Sequence, residues 1–223
     1  MTDDYKRKYD KKWNFKEHSM KELVHGLHPY PAMMMPLIAR TMFQTYGKGK
    51  DTVFFDPYVG SGTTLVEAQY YGAKQAIGVD LNPLAILISR TKTEPIDLSE
   101  VDKLIKEFDE YIDTTGPVEA PVFSIRDSWF NERSISELAK IRAFILAIKD
   151  EAVKDFFKVA FSETTRLASE TRKIERKGRV IAETTVTIQR AHRDHPATRS
   201  ILPTEREKRP PPKMVKLKVQ KWT

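Results

Sequence analysis

Apolar side chains recur every three or four positions in six stretches of the chain, which has 223 residues. This spacing places them on one face of a helix. The predicted helices cover residues 36–46, 63–71, 83–91, 98–111, 135–148 and 152–167. The last two are joined by a short polar turn, so we predict a helical hairpin over about residues 130–168.

Two short apolar runs lack the helical period and predict strands. Thr52-Val-Phe-Phe55 is rich in β-branched and aromatic residues, and we interpret it as a strand buried on both faces. The second run, Gln75-Ala-Ile-Gly-Val79, is closed by Asp80. A loop and a helix connect the two strands, and such units cross over right-handedly into a parallel sheet. The predicted fold class is therefore α/β, with the helical hairpin inserted after the second strand.

Both ends of the chain lack these patterns. Residues 1–20 are polar and charged, and we interpret them as a mobile or loosely docked arm. Residues 21–172 form the predicted folded domain. Residues 173–223 are a basic tail of low periodicity, apart from one alternating stretch from Val180 to Ile188. We expect about the last forty residues to be poorly ordered or to need a partner.

The net charge of +7 and the isoelectric point near 9.4 arise from this tail. Residues 171–223 hold fifteen Lys and Arg against five Asp and Glu, which leaves 23 basic and 26 acidic residues in the rest of the chain. A basic tail fits a phosphate-binding arm on DNA, because phosphate contacts dominate nucleic-acid affinity. A solvated extension explains the same composition equally well.

Several classes of protein are disfavoured by composition. The chain has no cysteine, and its five histidines show no ligand spacing, so no metal site is expected. No run of eighteen apolar residues is present, and residues 1–12 do not resemble a signal peptide. We therefore expect a cytoplasmic protein without a membrane partner.

The segment Asp56-Pro-Tyr-Val-Gly-Ser-Gly-Thr-Thr64 is the main candidate for chemistry. A glycine-rich loop between a strand and a helix lets backbone amides approach a ligand, and the helix start adds a positive end. The loop lacks the Gly-Lys-Ser/Thr ending of nucleotide triphosphatases and is too short for the dinucleotide fingerprint. We interpret it as a site for a zwitterionic amino-acid tail, with Asp56 binding the ammonium or holding the loop. A simple tight turn is the structural alternative.

Asp80 lies about twenty residues beyond the glycines, at the end of the second predicted strand. An acidic side chain at this position is placed to bind two ribose hydroxyls. The alternative is a helix cap preceding Asn82-Pro83. Paired with the glycine loop, Asp80 favours ribose recognition.

The order of three motifs resembles one enzyme family. Asp56–Thr64 resembles the Asp-Pro-Phe-x-Gly-Ser-Gly-Thr-Thr motif of the DNA methyltransferases that modify exocyclic amino groups of adenine or cytosine, with Tyr58 in place of Phe. Gly78–Ala85 is similar to the acidic second motif of that family. His28-Pro-Tyr-Pro-Ala32 resembles the segment that closes over the methionine end of the cofactor in these enzymes, although it also fits a rigid entry into the first helix. The resemblance covers about residues 27–172.

The resemblance implies a Rossmann-like fold, the cofactor S-adenosyl-L-methionine and a DNA substrate in restriction–modification. The sheet is expected to be incomplete. The implied cofactor-binding residues are His28, Pro29, Tyr30, Pro31, Asp56, Pro57, Tyr58, Gly60, Ser61, Gly62, Thr63, Thr64, Asp80, Leu81 and Asn82. Asp127 or Trp129 could contact the adenine of the cofactor, but we favour core packing for both.

The acceptor motif of this family, a polar residue followed by Pro-Pro and an aromatic residue, is not found. The only triple-proline run, Pro210–Pro212, follows Arg209 and precedes Lys213-Met214, with no aromatic residue to stack a flipped base. No catalytic residue is therefore assigned, and the isolated chain is predicted to bind cofactor without transferring methyl groups. The base-binding half would lie on a second polypeptide, or the gene is truncated. Alternatives are an RNA guanine amino-methyltransferase and a non-catalytic subunit that binds cofactor or DNA.

Overall fold

The computed structural model describes residue 10, residues 13–170 and the backbone of residues 216–221. The strands are β1 (Val53–Asp56), β2 (Gln75–Asp80) and β3 (Lys216–Lys221). The helices are α1 (Pro36–Tyr46), α2 (Thr63–Tyr71), α3 (Pro83–Thr93), α4 (Leu98–Thr114), α5 (Arg126–Trp129), α6 (Glu132–Ala147) and α7 (Glu151–Ala168). The predicted arm falls only partly within this range, and the stretch Val180–Ile188 and the prolines Pro210–Pro212 lie outside it.

All six predicted helices are present, and side-chain caps explain where four of them begin. Asn82, Asp97, Asn131 and Asp150 each accept a hydrogen bond from a backbone N–H in the first turn of α3, α4, α6 and α7, respectively. Such caps satisfy amides that have no partner within the helix. The cap at Asn131 starts α6 three residues earlier than the apolar spacing predicts.

The strands form a parallel sheet in the order β1-β2-β3, which confirms the predicted α/β class. Val53 pairs with Gln75 and Asp56 with Gly78, so β1 and β2 end side by side. Gln75 pairs with Lys216 on the other side of β2. β3 lies in the predicted basic tail and was not predicted as a strand, although Lys-Leu-Lys-Val-Gln-Lys alternates apolar and polar residues as strands do.

The prediction that β1 is buried on both faces is wrong. Val53 is 58% exposed and Phe55 is 55% exposed, whereas Phe54 between them is partly buried. The Phe54 ring packs against Phe43 of α1, with 4.8 Å between the ring centroids. Within the described residues, helices therefore cover one face of β1 only, and successive side chains alternate between this core and solvent.

Two separate groups of buried apolar residues hold the fold. The larger one lies among α4, α6 and α7 and is centred on Phe108, Phe144, Phe156 and Phe157; we call it the helical core. The smaller one packs α1, α2 and α3 beneath the sheet and includes Phe43, Leu65 and Ile86; we call it the sheet core. The sheet core supports the carboxyl ends of β1 and β2, where the candidate site lies.

Candidate functional site at the carboxyl edge of the sheet

The glycine loop joins the end of β1 to the start of α2 in a tight, left-handed path. Gly60 has φ 51° and Gly62 has φ 82°, values that favour glycine because it lacks a Cβ atom. At Gly62 a Cβ would also lie 2.9 Å from the Cα and Oγ atoms of Ser89 on α3. Gly62 therefore lets α3 approach the loop closely, so this glycine has a packing role in the motif.

Asp56 holds the two ends of this loop together. One carboxylate oxygen accepts the backbone N–H of Tyr58 at 2.9 Å, and the other accepts the hydroxyl of Thr64 in the first turn of α2. Of the two roles considered for Asp56, holding the loop is the one that the geometry shows. The hydroxyl of Thr64 is buried in this contact, which accounts for a polar residue in the interior.

Asp80 links the end of β2 to the glycine loop. Its Oδ2 atom accepts the N–H of Gly60 at 2.9 Å, and its Oδ1 atom accepts the N–H of Asn82 at 2.8 Å. Asn82, and not Asp80, caps α3, because its side chain accepts the N–H of Leu84 at 3.0 Å. The helix-cap alternative for Asp80 is therefore wrong. Each carboxylate oxygen retains further acceptor capacity for a ligand hydroxyl.

The segment from His28 to Ala32 lies against the same loop. The hydroxyl of Tyr30 accepts a hydrogen bond from the side-chain amide of Asn82 at 3.1 Å. A Cβ atom placed on Gly60 would lie 3.7 Å from the Tyr30 ring, so this ring borders the loop directly. Ala32 has φ 53°, an uncommon conformation for a residue with a side chain. The structure thus brings the segment and the glycine loop together.

His28 anchors this segment to α7. Its Nδ1 atom lies 2.7 Å from the carbonyl oxygen of Pro29 and its Nε2 atom lies 3.3 Å from the hydroxyl of Ser162. Burial lowers the pKa of His28, so the ring is neutral at pH 7. Because a carbonyl only accepts, Nδ1 carries the proton and Nε2 accepts from Ser162. His28 therefore holds the segment against α7.

The remaining predicted residues differ in how far their side chains are buried. Ser61 and Thr63 are buried within it, whereas Pro57, Tyr58 and Leu81 point to solvent, with Tyr58 84% exposed. Pro29 and Pro31 are also exposed. The exposed side chains take no part in the hydrogen bonds described above.

Neither Asp127 nor Trp129 packs in a core, so that prediction is wrong. Trp129 is 45% exposed, and the Asp127 carboxylate forms an exposed ion pair with the neighbouring Arg126. Both lie on the single-turn helix α5, whose residues are not buried. Conversely, Ser89 was not among the predicted site residues, yet it is fully buried and donates to the carbonyl oxygen of Gly60 at 2.7 Å. A serine on the apolar face of α3 was the available signal.

Comparison with known proteins finds similarity in the same part of the chain. Residues 27–101 match the family described as the RMKL-like methyltransferase domain, a range that contains all of the candidate site. The Type II methyltransferase M.MvaI of Kocuria varians is 36% identical over 168 residues, covering 70% of this chain and 37% of that protein.

Two further relatives match over shorter ranges. The Type II methyltransferase M.MjaII of Methanocaldococcus jannaschii is 33% identical over 82 residues, covering 37% of this chain and 15% of that protein. The Type II methyltransferase M.BsoBI of Geobacillus stearothermophilus is 26% identical over 117 residues, covering 52% and 23%. No solved structure matches the chain significantly. The matched regions cover 37%, 15% and 23% of the three relatives, so the chain spans well under half the length of the curated relatives that it matches.

The parallel α/β sheet and the match over residues 27–101 fit a methyltransferase domain of the Rossmann-like type. The matches to the Type II relatives support a relationship of this chain to the DNA amino-methyltransferases. Over the described part of the chain, no helix has both the length and the apolar character needed to cross a membrane. The same residues contain no group of three or more His, Asp or Glu side chains that could hold a metal ion.

Proposed function

We propose that this chain binds S-adenosyl-L-methionine at the carboxyl edge of β1 and β2, as the cofactor-binding part of a DNA amino-methyltransferase. One observation carries the proposal. Tyr30, Gly60 and Asp80 come from three separate segments, yet they meet at one point where the two parallel strands end. Ligands of open α/β sheets bind at this edge.

The residues present fit the chemistry of this cofactor. Its ribose hydroxyls donate hydrogen bonds, for which Asp80 offers a carboxylate acceptor beside the loop. Its ammonium and sulfonium groups are positive, and the Asp56 carboxylate adds a negative charge near them without direct contact. Its carboxylate is negative, which suits the positive amino-terminal end of α2. The aromatic ring of Tyr30 lies next to Gly60, where it can face a cation.

Each element of the site has a distinct proposed role. Gly60, Ser61 and Gly62 turn beneath the methionine part of the cofactor, while Asp80 binds the ribose hydroxyls. The segment His28–Ala32 closes over the loop through Tyr30. Asp56 keeps the loop in shape through its bonds to both ends, and so acts on the ligand indirectly.

When bound, the cofactor supplies an electrophilic methyl group. The chain's own contribution is to hold that group in a fixed orientation and to shield it from water. The acceptor is proposed to be an exocyclic amino group of adenine or cytosine, so no covalent nucleophile is required. The residues that hold the flipped base are proposed to lie outside the residues of this chain, on a second polypeptide or on a further portion of a longer protein. Restriction–modification in the cytoplasm is the proposed setting.

Cofactor binding is tested by isothermal titration of the full chain with S-adenosyl-L-methionine. We expect saturable binding, which Asp80→Asn weakens by at least about tenfold, because hydrogen bonds to charged groups contribute about 1.5–3 kcal/mol. Asp97→Asn is the matched control, since Asp97 also accepts backbone N–H groups but at the start of α4. A folded chain that binds no cofactor would refute the proposal.

Methyl transfer is tested with labelled cofactor and unmodified DNA, with RNA as the control substrate. The chain is assayed alone and together with the base-binding half of a Type II relative. Transfer to DNA only in the presence of that half supports the division of labour proposed here. Transfer to RNA would instead identify an RNA amino-methyltransferase, and transfer by the chain alone would show that it contains an acceptor site without the expected motif.

A further inference from the structure

A cluster of polar side chains, three of them buried and one partly exposed, lies next to the candidate site but belongs to none of its motifs. It consists of His25, Arg40, Glu67 and Lys92, and we call it the anchor cluster. His25, Glu67 and Lys92 are each 1% exposed or less. Burying charged groups is costly unless they are paired, so their retention in a small core requires a physical reason.

Glu67 on α2 is the centre of the anchor cluster. Its carboxylate accepts hydrogen bonds from Nε2 of His25 at 2.9 Å and from Nε and Nη2 of Arg40 at 2.9 and 3.0 Å. Burial raises the pKa of Glu67, but the hydrogen bonds from His25 and Arg40 outweigh that effect and the net pKa is lowered. The carboxylate is therefore ionised at neutral pH and ties both α1 and the segment before it to α2; we call residues 22–32 the amino-terminal segment.

Lys92 on α3 holds the backbone of the same segment. Its Nζ atom donates to the carbonyl oxygen of His25 at 3.3 Å. The ring of His25 has a second nitrogen, Nδ1, that is buried without a hydrogen-bond partner among the described residues. His25 is consequently fixed at its side chain by α2 and at its backbone by α3.

The helix α2 carries both a loop contact and an anchor contact. Thr64 in its first turn donates to Asp56 at the start of the glycine loop. Glu67, three residues later, accepts from His25. Residues three apart lie on the same face of a helix, so α2 positions the loop and the amino-terminal segment from adjacent turns.

The helix α3 repeats this arrangement. Ser89 donates to the carbonyl oxygen of Gly60 at 2.7 Å, and Lys92, three residues later, donates to His25. Both helices that shape the glycine loop therefore also hold His25, one turn further on. Five residues beyond His25, the Tyr30 ring borders Gly60.

We propose that the anchor cluster positions Tyr30 over the glycine loop and thereby sets the affinity for the cofactor, an inference that rests on the proposed function. Apolar packing alone would hold the segment but permit it to slide. Directional hydrogen bonds from two helices fix one register, which is the best-attested use of buried polar groups. His25, Glu67 and Lys92 are positioning residues, since they act on the ligand only through Tyr30.

The first test measures the segment itself, without ligand. Glu67→Gln removes the charge but keeps the shape of the side chain, and amide hydrogen exchange is followed by mass spectrometry in the full chain. We expect faster exchange confined to residues 22–32. The matched control is Asp155→Asn, which alters another buried carboxylate that pairs with Arg90 and Lys158. Unchanged exchange in residues 22–32, or an equal increase in the control, would overturn the proposal.

The second test measures cofactor affinity in a double-mutant cycle. Glu67→Gln is expected to weaken binding of S-adenosyl-L-methionine about tenfold, because small misplacements of a positioning group cost up to about a hundredfold. In a Tyr30→Ala background the same change should have little further effect, whereas a general loss of structure would weaken binding equally in both backgrounds. An equal loss in both would refute the link through Tyr30. If the unmodified chain binds no cofactor, the proposed function fails, and the exchange experiment alone decides whether the cluster positions the segment.

Discussion

The helical core and the glycine-loop region are held together by different kinds of contact. The helical core consists of apolar side chains on α4, α6 and α7, with few buried polar groups among them. The glycine-loop region has a smaller apolar core and depends on buried or half-buried polar contacts, such as Asp80 to Gly60 and Glu67 to His25. Apolar packing gives stability without direction, whereas hydrogen bonds fix the relative position of short segments.

The largest expected effect is a loss of stability, without a loss of cofactor affinity, when the helical core is disrupted. Phe156 is fully buried in the helical core and packs against Phe157. We expect Phe156→Ala to lower the free energy of unfolding by about 3–5 kcal/mol, because it creates a cavity. Urea denaturation measures the loss. Cofactor affinity per folded molecule should stay the same, and a parallel loss of affinity would show that the two regions are not separable.

The second prediction concerns two glycines with nearly the same backbone conformation. Gly62 and Gly72 have φ 82° and 80°, but a Cβ atom meets Ser89 at 2.9 Å in the first case and nothing within 4 Å in the second. Gly72→Ala should cost only the left-handed conformation, about 1–2 kcal/mol. Gly62→Ala should cost about 1–3 kcal/mol more, because the loop must move away from α3.

Thermal or urea unfolding of the two glycine variants gives this difference directly, and cofactor titration gives its functional consequence. Only Gly62→Ala should weaken binding. Equal stability of the two variants would mean that Ser89 moves aside easily and that the close approach of α3 is not required.

The last prediction is a pH dependence that originates in the glycine-loop region. Burial lowers the pKa of Lys92 to about 7, from 10.5 in the unfolded chain. Between these values the unfolded chain binds a proton that the folded chain does not, so stability rises with pH, by at most about 1.4 kcal/mol per pH unit. The rise should be absent in Lys92→Met. It should be retained in Lys158→Met, because the Lys158 ammonium is partly exposed and pairs with Asp155. Urea denaturation from pH 7 to 9.5 checks this, and an equal slope in both variants would contradict it.

The difference between local patterns and long-range contacts also explains which parts of the two regions could be predicted from the sequence. The ends of the six predicted helices lie within three residues of the observed ends, since an amphipathic period is a local property and capping residues such as Asn131 adjust only the ends. The helix α5 was not predicted, because its four residues are too few to show that period. The exposure of Val53 and Phe55 could not be predicted, because an apolar run does not reveal which faces its neighbours cover. β3 was missed because its alternation is short and its composition is basic.

Within the candidate site, the motifs identified the loop, Asp56 and Asp80, but not what these residues contact. Ser89, Glu67 and Lys92 carry no motif, since each belongs to a helix whose local pattern is satisfied without it. His25 lies before the first predicted helix, where no periodic pattern marks it. His25 and Glu67 lie 42 residues apart in the chain, and His28 and Ser162 lie 134 apart. Pairings over such distances depend on how helices pack.

The sequence by itself determined the α/β class, the six helices and the glycine loop with its two acidic neighbours, because local periodicity and φ preferences act over a few residues. Only the tertiary structure decided that Tyr30 borders Gly60, that Asp56 holds the loop and that a buried carboxylate on α2 anchors His25. The physical reason is that hydrogen-bond partners are chosen by distance in space, which the packing of α1, α2 and α3 beneath the sheet sets.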